Sequence, residues 1–245
     1  MPAFTGDNLV FILGAPRSGT TWLLRLMSSH DDVVTANVDN LAIRVNDIMT
    51  LESNIFTPNR NLSDAEIAER FADLSNDNPG KTIVEKTPVH LLHADRIRAL
   101  FPAARLVLIL RDGRDVVTSL VHVGRDENRW WRGAPDTVIR GARKWSPYGE
   151  AALNLMNQAQ PIVLHYESLL ADTPGQLAVL LGRLHLSTAA IPHMIAEAAG
   201  GKGIPIPGVF REGGTGGWRS YFTPAEVADF EKHGGDLNRR LGYGE

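Results

Sequence analysis

The segment at residues 14–21 has the residue types and spacing of a binding site for an anion. It reads Gly14-Ala-Pro-Arg-Ser-Gly-Thr-Thr21 and follows a continuous apolar run, Leu9–Leu13, that predicts a buried strand. A helical pattern of apolar residues begins directly after it. A loop between a buried strand and a helix N-terminus presents backbone N–H groups and the helix dipole to an anion. We therefore predict that this loop holds a phosphate or a close mimic of one.

The loop departs at one position from the phosphate loop of ATP- and GTP-binding proteins. Gly14, Gly19 and Thr21 have the expected spacing, but Thr20 stands where that pattern has lysine. In a kinase or nucleotide hydrolase this lysine reaches the β- and γ-phosphates, and the next hydroxyl holds Mg²⁺. Here the positive charge comes earlier, at Arg17, which favours a less charged transferable group and no magnesium. A plain strand-to-helix turn with an exposed Arg17 is the alternative interpretation.

A second candidate anion site follows a later apolar run. Leu106–Leu110 lead into Arg111, and Ser119 lies about two helical turns further on. An arginine at the carboxyl end of a parallel strand lies at the edge where open α/β sheets bind ligands. Two other interpretations remain: Asp112 could be the magnesium-binding aspartate of a nucleotide hydrolase, or Arg111 could pair locally with Asp115.

The elements that carry these residues alternate between strand and helix. Strands are predicted at Leu9–Leu13, Thr82–Val84, Arg105–Leu110 and Ile162–His165. Such alternation predicts an α/β fold: a three-layer sandwich with a central parallel sheet and helices on both faces. Capping boxes beginning at Ser63 and Thr223 mark two helix starts. The glycine-rich stretch between Ala199 and Gly217 predicts a surface loop or lid.

Composition narrows the class of protein further. The chain has 245 residues, 25 Lys plus Arg against 28 Asp plus Glu, and no cysteine. We expect one domain over residues 1–245, because that length fits one large α/β domain. The near-balanced charge predicts neither a nucleic acid nor a membrane surface as partner. The absence of cysteine excludes thiolate chemistry, and the lack of an apolar leader leads us to expect a cytoplasmic protein.

Taken together, the two anion-binding segments resemble those of the sulfotransferases that use 3′-phosphoadenosine 5′-phosphosulfate (PAPS) and release adenosine 3′,5′-bisphosphate (PAP). The resemblance implies their P-loop-like fold, sulfuryl transfer to a small-molecule or carbohydrate acceptor, and no metal. By resemblance, the loop would hold the 5′-phosphosulfate, Trp22 would stack on adenine, and Arg111 with Ser119 would bind the 3′-phosphate. The loop residues implied are Arg17, Ser18, Gly19, Thr20 and Thr21.

Two further segments extend the resemblance. Residues 211–218, Arg-Glu-Gly-Gly-Thr-Gly-Gly-Trp, are similar to a family segment that folds over the 3′-phosphate and adenine. We carry over Arg211 and Gly213, whereas Glu212 replaces the usual lysine. Tyr166 resembles a family tyrosine that approaches adenine, and a tyrosine at the edge of the core is the alternative.

The resemblance also points to catalytic residues. Lys86, in the segment Val84-Glu-Lys-Thr-Pro88, is similar to the lysine that stabilises the family's transition state, with Arg17 beside it. The general base is less clear, because Pro88 stands where cytosolic members have histidine. Asp39, near the position of a glutamate in other branches, and His90, four residues after Lys86, are the two candidates. Of the two, we favour Asp39.

The acceptor and the oligomeric state are not determined by these patterns. Acceptor specificity is expected from Asp39 to Asn78 and from His122 to Tyr148, the two least regular stretches. The second stretch places Trp130 and Trp131 among several arginines, a cluster that suits a sugar, an aromatic ring or an anion, or else packs on the core. A P-loop kinase and a noncatalytic PAP-binding protein are the rival functions.

Overall fold

A computed structural model describes residues 4–36, 43–45, 48–50, 52–127, 131–199 and 214–244. Strands and helices alternate through most of this part of the chain. The strands are β1 Leu9–Leu13, β2 Val33–Thr35, β3 Ile43–Val45, β4 Ile48–Thr50, β5 Thr82–Lys86, β6 Arg105–Leu110 and β7 Ile162–His165. The helices are α1 Thr20–Ser28, α2 Asp64–Asp77, α3 Ala94–Leu100, α4 Gly113–Arg125, α5 Val138–Ala159, α6 Tyr166–Ala171, α7 Thr173–Leu184, α8 Ile191–Ala199, α9 Trp218–Tyr221, α10 Pro224–Phe230 and α11 Asp236–Arg240.

The central sheet has five strands in the order β2-β5-β1-β6-β7, and all neighbouring pairs are parallel. The strand β1 lies in the middle, with β5 on one side and β6 on the other. Its register places Ile12 opposite Lys86 on β5 and Leu13 opposite Leu108 on β6. The carboxyl ends of these three strands therefore meet at one edge. The pair β3–β4 forms a separate antiparallel hairpin.

Helices cover both faces of the sheet, because successive side chains of a strand point to opposite sides. Leu9, Phe11 and Leu13 face a core shared with α2, α3, α4 and α5. Val10 and Ile12 face a second core shared with α1, α7 and α8. The α/β class and the three layers expected from the sequence are therefore confirmed.

The local predictions agree with the structure at most element boundaries. Ser63 and Thr223 each accept a hydrogen bond from the backbone N–H three residues on, and the glutamate at that position returns one, so both capping boxes form. The strand expected at Thr82–Val84 continues to Lys86. The short strand β2 and the β3–β4 hairpin were not predicted. Most of the glycine-rich stretch expected to be a loop, residues 200–213, lies outside the described residues.

Candidate functional site

The predicted anion loop lies at the carboxyl edge of the sheet, between the end of β1 and the start of α1. Because β1 is central, Lys86 at the end of β5 and Arg111 after β6 flank this loop on opposite sides. Lys86 belongs to the face of the sheet that packs against α1, since it is in register with Ile12. A molecule bound at the loop therefore lies between a lysine on one side and an arginine on the other.

The conformation of the loop depends on its two glycines. A Cβ at Gly14 would lie 2.8 Å from the backbone oxygen of Ile109 on β6, and Gly19 has a φ of 99°. Arg17 also has a positive φ, 73°. Ser18 is buried, and its hydroxyl donates to the Ala15 carbonyl at 2.7 Å. Ser18 thus stabilises the loop from within, instead of offering its hydroxyl to a ligand.

The first turn of α1 lies at the mouth of the loop. Gly19 is its N-cap residue and supplies no side-chain cap. The N–H groups at such a helix start attract an anion. Thr20 is buried, whereas Thr21 and Trp22 are partly exposed beside it. The backbone of this turn and the Thr21 hydroxyl can therefore contact a phosphate or sulfate group.

Residues from the two predicted anion-binding segments contact one another directly. Arg17 Nε donates to Ser119 Oγ at 2.9 Å, across 102 residues of chain. Arg111 Nη1 donates to the Arg17 carbonyl at 2.9 Å, and Nη2 donates to the Gly214 carbonyl at 2.9 Å. Arg111 Nε is buried and has no partner among the described residues.

An aromatic wall stands beside the same loop. Tyr166 packs so closely on Gly19 that a Cβ there would lie 2.5 Å from its ring. The Trp22 ring meets Tyr166 edge to face, with centroids 5.7 Å apart, and the Arg111 guanidinium lies 4.3 Å from the Tyr166 centroid. Burial raises the pKa of Tyr166, so its phenol remains a neutral hydroxyl. Tyr166 is buried and belongs to the core on this face of the sheet, as the alternative interpretation expected, so the partly exposed Trp22 is the ring of this wall that a base can reach.

Neither alternative interpretation of the segment after β6 agrees with the structure. Asp112 forms a salt bridge with Arg114 at 2.8 Å and accepts from Asn238, so its oxygens are used internally. Asp115 does not pair with Arg111. It accepts instead from the backbone N–H groups of Gly216 and Trp218, at 2.6 and 3.1 Å. Asp115 thereby fixes the end of the glycine-rich segment onto α4.

The lysine side of the loop contains a carboxylate that sequence reasoning missed. Lys86 Nζ lies 2.8 Å from Glu52 Oε1, and the Lys86 side chain is only 3% exposed while that of Glu52 is 33% exposed. Burial and the charge of Glu52 raise the pKa of Tyr148 on α5 to about 12. A partly exposed carboxylate beside a buried lysine can accept a proton from a bound hydroxyl. No spacing in the sequence links positions 52 and 86.

The two bases expected from the sequence have different outcomes. His90 is fully buried, with Nδ1 2.9 Å from Glu85 Oε2 and its ring against Phe56. A histidine with no exposed surface cannot reach an acceptor, so its placement contradicts a role as the base. Asp39 lies outside the described residues. Arg211, Gly213 and Trp130 also lie outside them.

The basic and aromatic stretch near residue 131 is partly neutralised by acidic neighbours. Arg125 pairs with Glu226, and Arg140 pairs with Asp136 at 2.7 Å. Trp131 packs against the core, with Lys144 Nζ 4.5 Å from its ring centroid. The packing interpretation is therefore correct for Trp131.

The described part of the chain contains neither a metal-binding cluster nor a membrane-spanning helix. Within it, no three His, Asp or Glu residues are grouped so that they could hold a metal ion. No helix there has the length and hydrophobicity to cross a lipid bilayer.

Comparison with known proteins gives consistent matches in sequence and in structure. The sequence profile described as the sulfotransferase family matches residues 9–190. Protein-tyrosine sulfotransferase 1 of Danio rerio is 24% identical in an alignment of length 212, which covers 78% of this chain and 58% of that protein. The chain thus spans less than two thirds of this curated relative.

Solved structures with the same fold cover nearly the whole chain. The sulfotransferase domain of the Synechococcus PCC 7002 olefin synthase has a TM-score of 0.66 at 17% identity, covering 97% of this chain and 95% of that one. A mouse sulfotransferase complexed with PAP has a TM-score of 0.63 at 16% identity, covering 96% and 88%.

Proposed function

Because the chain belongs to the sulfotransferase family, we propose that it transfers the sulfuryl group of PAPS to a hydroxyl or amine of a small-molecule or carbohydrate acceptor and releases PAP. The observation that carries this proposal is the convergence of Arg17, Ser119 and Arg111, which are held together by hydrogen bonds of 2.9 Å. A nucleotide with phosphates on both sides of its ribose needs cations at two neighbouring positions. The similar mouse structure is a complex with PAP.

The residues of the loop fit the donor. The N-terminus of α1 would hold the 5′-phosphosulfate together with Arg17. Arg111 and Ser119, which both contact Arg17, would bind the 3′-phosphate. Trp22, which meets Tyr166 edge to face, would contact the adenine ring. Arg211 and Gly213, which lie outside the described residues, are proposed by resemblance to contribute to binding the nucleotide.

The reaction is a displacement at sulfur, in which the acceptor oxygen forms a bond to sulfur while the bond to the 5′-phosphate oxygen breaks. We assign the base to Glu52, whose partly exposed carboxylate takes the acceptor proton. Lys86 stabilises the charge that develops on the departing phosphate oxygen. As Glu52 becomes neutral it releases Lys86 from their 2.8 Å ion pair, so the full lysine charge becomes available to that oxygen. Asp39 remains a second candidate for the base.

A tyrosine hydroxyl in a peptide is the second candidate acceptor. The observation that favours it is the similarity to protein-tyrosine sulfotransferases. Both acceptor classes present a hydroxyl to the same Glu52 and Lys86 pair.

Donor binding is tested by thermal stabilisation with PAP and with ADP at equal concentration. We expect PAP to raise the melting temperature several degrees more than ADP does, because at 100 times its Kd a ligand contributes about 2.7 kcal/mol. ADP lacks the 3′-phosphate that Arg111 and Ser119 would bind. Equal shifts with the two nucleotides would refute the proposed donor site.

Catalysis is tested with ³⁵S-labelled PAPS against phenols, sugars, amino sugars and tyrosine peptides, with and without Mg²⁺. Labelled product that does not depend on magnesium is the expected result. Stabilisation by PAP without any labelled product would favour a noncatalytic binding protein. Transfer of phosphate from ATP only when Mg²⁺ is added would favour a P-loop kinase.

A further inference from the structure

A buried polar network lies directly behind the Glu52–Lys86 pair and has no part in the reaction described above. Its centre is Glu85, which is 1% exposed and precedes Lys86 on β5. Glu85 Oε1 accepts from Thr87 Oγ1 at 2.6 Å and from Ser53 Oγ at 3.3 Å. Glu85 Oε2 accepts from His90 Nδ1 at 2.9 Å. A buried carboxylate with three donors is a well-satisfied anion.

Every polar group of Ser53 forms a hydrogen bond. The Ser53 N–H donates to Thr87 Oγ1 at 3.1 Å, and its hydroxyl donates to Glu85. Its carbonyl accepts from both Nε and Nη2 of Arg60, at 3.1 and 2.7 Å. Since N–H, O–H and C=O are all bonded, the backbone next to Glu52 is fixed.

Glu85 and Lys86 point to opposite faces of β5. Glu85 shares the face of Ile83 and points to the core that contains Phe56, whereas Lys86 shares the face of Val84 and α1. Ser53 is held on the first face, and Glu52 meets Lys86 of the second. Phe56, 1% exposed, anchors the same segment in the core. Glu52 is therefore the partly exposed end of a segment that is anchored in the core and hydrogen-bonded at Ser53.

We propose that Thr87 and Glu85 are positioning residues, which fix Ser53 and thereby place the Glu52 carboxylate against Lys86 for proton transfer. The inference rests on the proposed function, in which Glu52 and Lys86 act on the acceptor and the leaving group. Thr87 and Glu85 are too deeply buried to contact substrate, at 0% and 1% exposure. A small displacement of a catalytic group is enough to slow a reaction strongly.

The decisive variant is Thr87→Val, which keeps the shape of the side chain but removes the hydroxyl that joins Ser53 to Glu85. We expect kcat to fall about 10- to 100-fold while the Kd for PAP stays within about twofold. Thr87→Ser keeps the hydroxyl and should restore most of kcat. Leu184→Ala is the control for lost stability alone and should leave kcat unchanged. Leu184 is a core residue at the end of α7, and its carbonyl accepts from Arg105 at the start of β6.

A double-mutant cycle with Glu52→Gln separates positioning from general loss of packing. If Thr87 acts through Glu52, Thr87→Val should lower kcat by less than about twofold in the Glu52→Gln background. Independent losses that multiply would overturn the inference. Should Thr87→Val fail to fold, Ser53→Ala breaks the same connection from the other side and is measured in the same cycle.

A crystal structure of Thr87→Val with PAP gives a readout that does not depend on activity. We expect the Glu52 to Lys86 distance to exceed about 4 Å, the limit of an ion pair. An unchanged pair would refute the positioning role even if the wild-type protein sulfates no acceptor tested. Absence of product from the wild type, with this distance lost in the variant, would refute the proposed function alone.

Discussion

At the scale of single residues, Lys86 and Glu52 form the part of the site that can carry out chemistry. Taking a lysine out of water costs free energy unless a partner compensates for it, and Glu52 is that partner at 2.8 Å. The pair therefore compensates a lysine with 3% exposure for its loss of contact with water. Glu52 and Lys86 are 34 positions apart in the chain, which explains why sequence patterns did not reveal the pair.

Replacement of Lys86 tests the proposed transition-state role. Lys86→Ala should lower kcat at least about 100-fold, because a charge aimed at the leaving oxygen is worth several kcal/mol in a dry site. The Kd for PAP should change little, since the lysine acts mainly on charge that develops during the reaction. The matched control is Lys81→Ala, because Lys81 directly precedes β5 at the end of the strand away from Lys86, and its side chain is 40% exposed. Unchanged turnover in Lys86→Ala would remove this residue from the mechanism.

The residues expected to bind the donor differ in what the structure does with them. The structure brings Arg17, Arg111 and Ser119 into direct contact. Ser18 was expected to face the ligand but donates to the Ala15 carbonyl inside the loop. The residue types are read from the sequence, but the direction of each side chain depends on the turn that contains it.

At the scale of elements, the loop between β1 and α1 is shaped by its contact with α6. Gly19 combines a φ of 99° with a Tyr166 ring that leaves no room for a Cβ. The glycine is thus required twice, by the turn and by the aromatic wall that packs on it.

Substitution of Gly19 should damage both stability and donor binding. Gly19→Ala is expected to cost about 1–3 kcal/mol, because it combines an unfavourable φ with a steric clash. The displaced N–H groups of α1 should weaken PAP binding by at least about tenfold. Differential scanning calorimetry and PAP titration measure the two effects.

The control for this prediction is Gly182→Ala within α7. Nothing lies within 4 Å of a Cβ built at Gly182. Alanine should therefore stabilise the helix by about 0.5–1 kcal/mol. The changes in stability of the two variants need not be equal in size. A loss of stability in Gly182→Ala would contradict the open space around this glycine.

At the scale of the whole molecule, the end of the chain returns to the segment that carries Arg111. Asn238 accepts from the Gly113 N–H at 2.7 Å, and Arg114 donates to the Gly244 carbonyl at 2.8 Å. Tyr243 donates to Glu167, which also accepts from the Asp112 N–H. The turn after β6 is therefore fixed by residues more than 50 positions away, and no local pattern announces this.

Stability of the whole fold should depend on pH through Glu85. Burial raises the pKa of this carboxyl, but the facing His90 and the hydrogen bonds outweigh burial, and the pKa is lowered from its ordinary value of 4.5. A carboxyl whose pKa is lower in the folded than in the unfolded state stabilises the fold at pH values above its unfolded-state pKa. That stabilisation is lost as the pH falls through the folded-state pKa. The contribution of Glu85 is thus present near neutral pH and disappears in acid below about pH 4.5.

We therefore expect Glu85→Gln to lose about 1–3 kcal/mol near neutral pH, the cost of a disrupted buried hydrogen-bond network. The difference from wild type should shrink as the pH is lowered, and melting curves between about pH 7 and 3.5 would measure it. Glu69→Gln, on the exposed surface of α2, makes the same chemical change without touching the network. A gap between wild type and Glu85→Gln that widens in acid would contradict this account.

Much of the fold could be predicted because its causes are local. The apolar runs, the turn residues of the loop and the two capping boxes act over a few neighbouring positions, and β1, β5, β6, β7 and the start of α2 lie where these patterns placed them. The strand β2 has three residues, too few for a periodic signal.

Which side chains meet across long stretches of chain followed from packing alone. Arg17 meets Ser119 because β1 and β6 are parallel neighbours whose carboxyl ends lie at one edge of the sheet. Glu52 meets Lys86 because the next residue, Ser53, is hydrogen-bonded to Thr87 and Glu85 at the end of β5. The same packing buries His90 against Phe56 and removes it from the chemistry. Residue types and their spacing carried the resemblance to sulfotransferases, whereas long-range contacts, which no local pattern encodes, placed a carboxylate opposite Lys86.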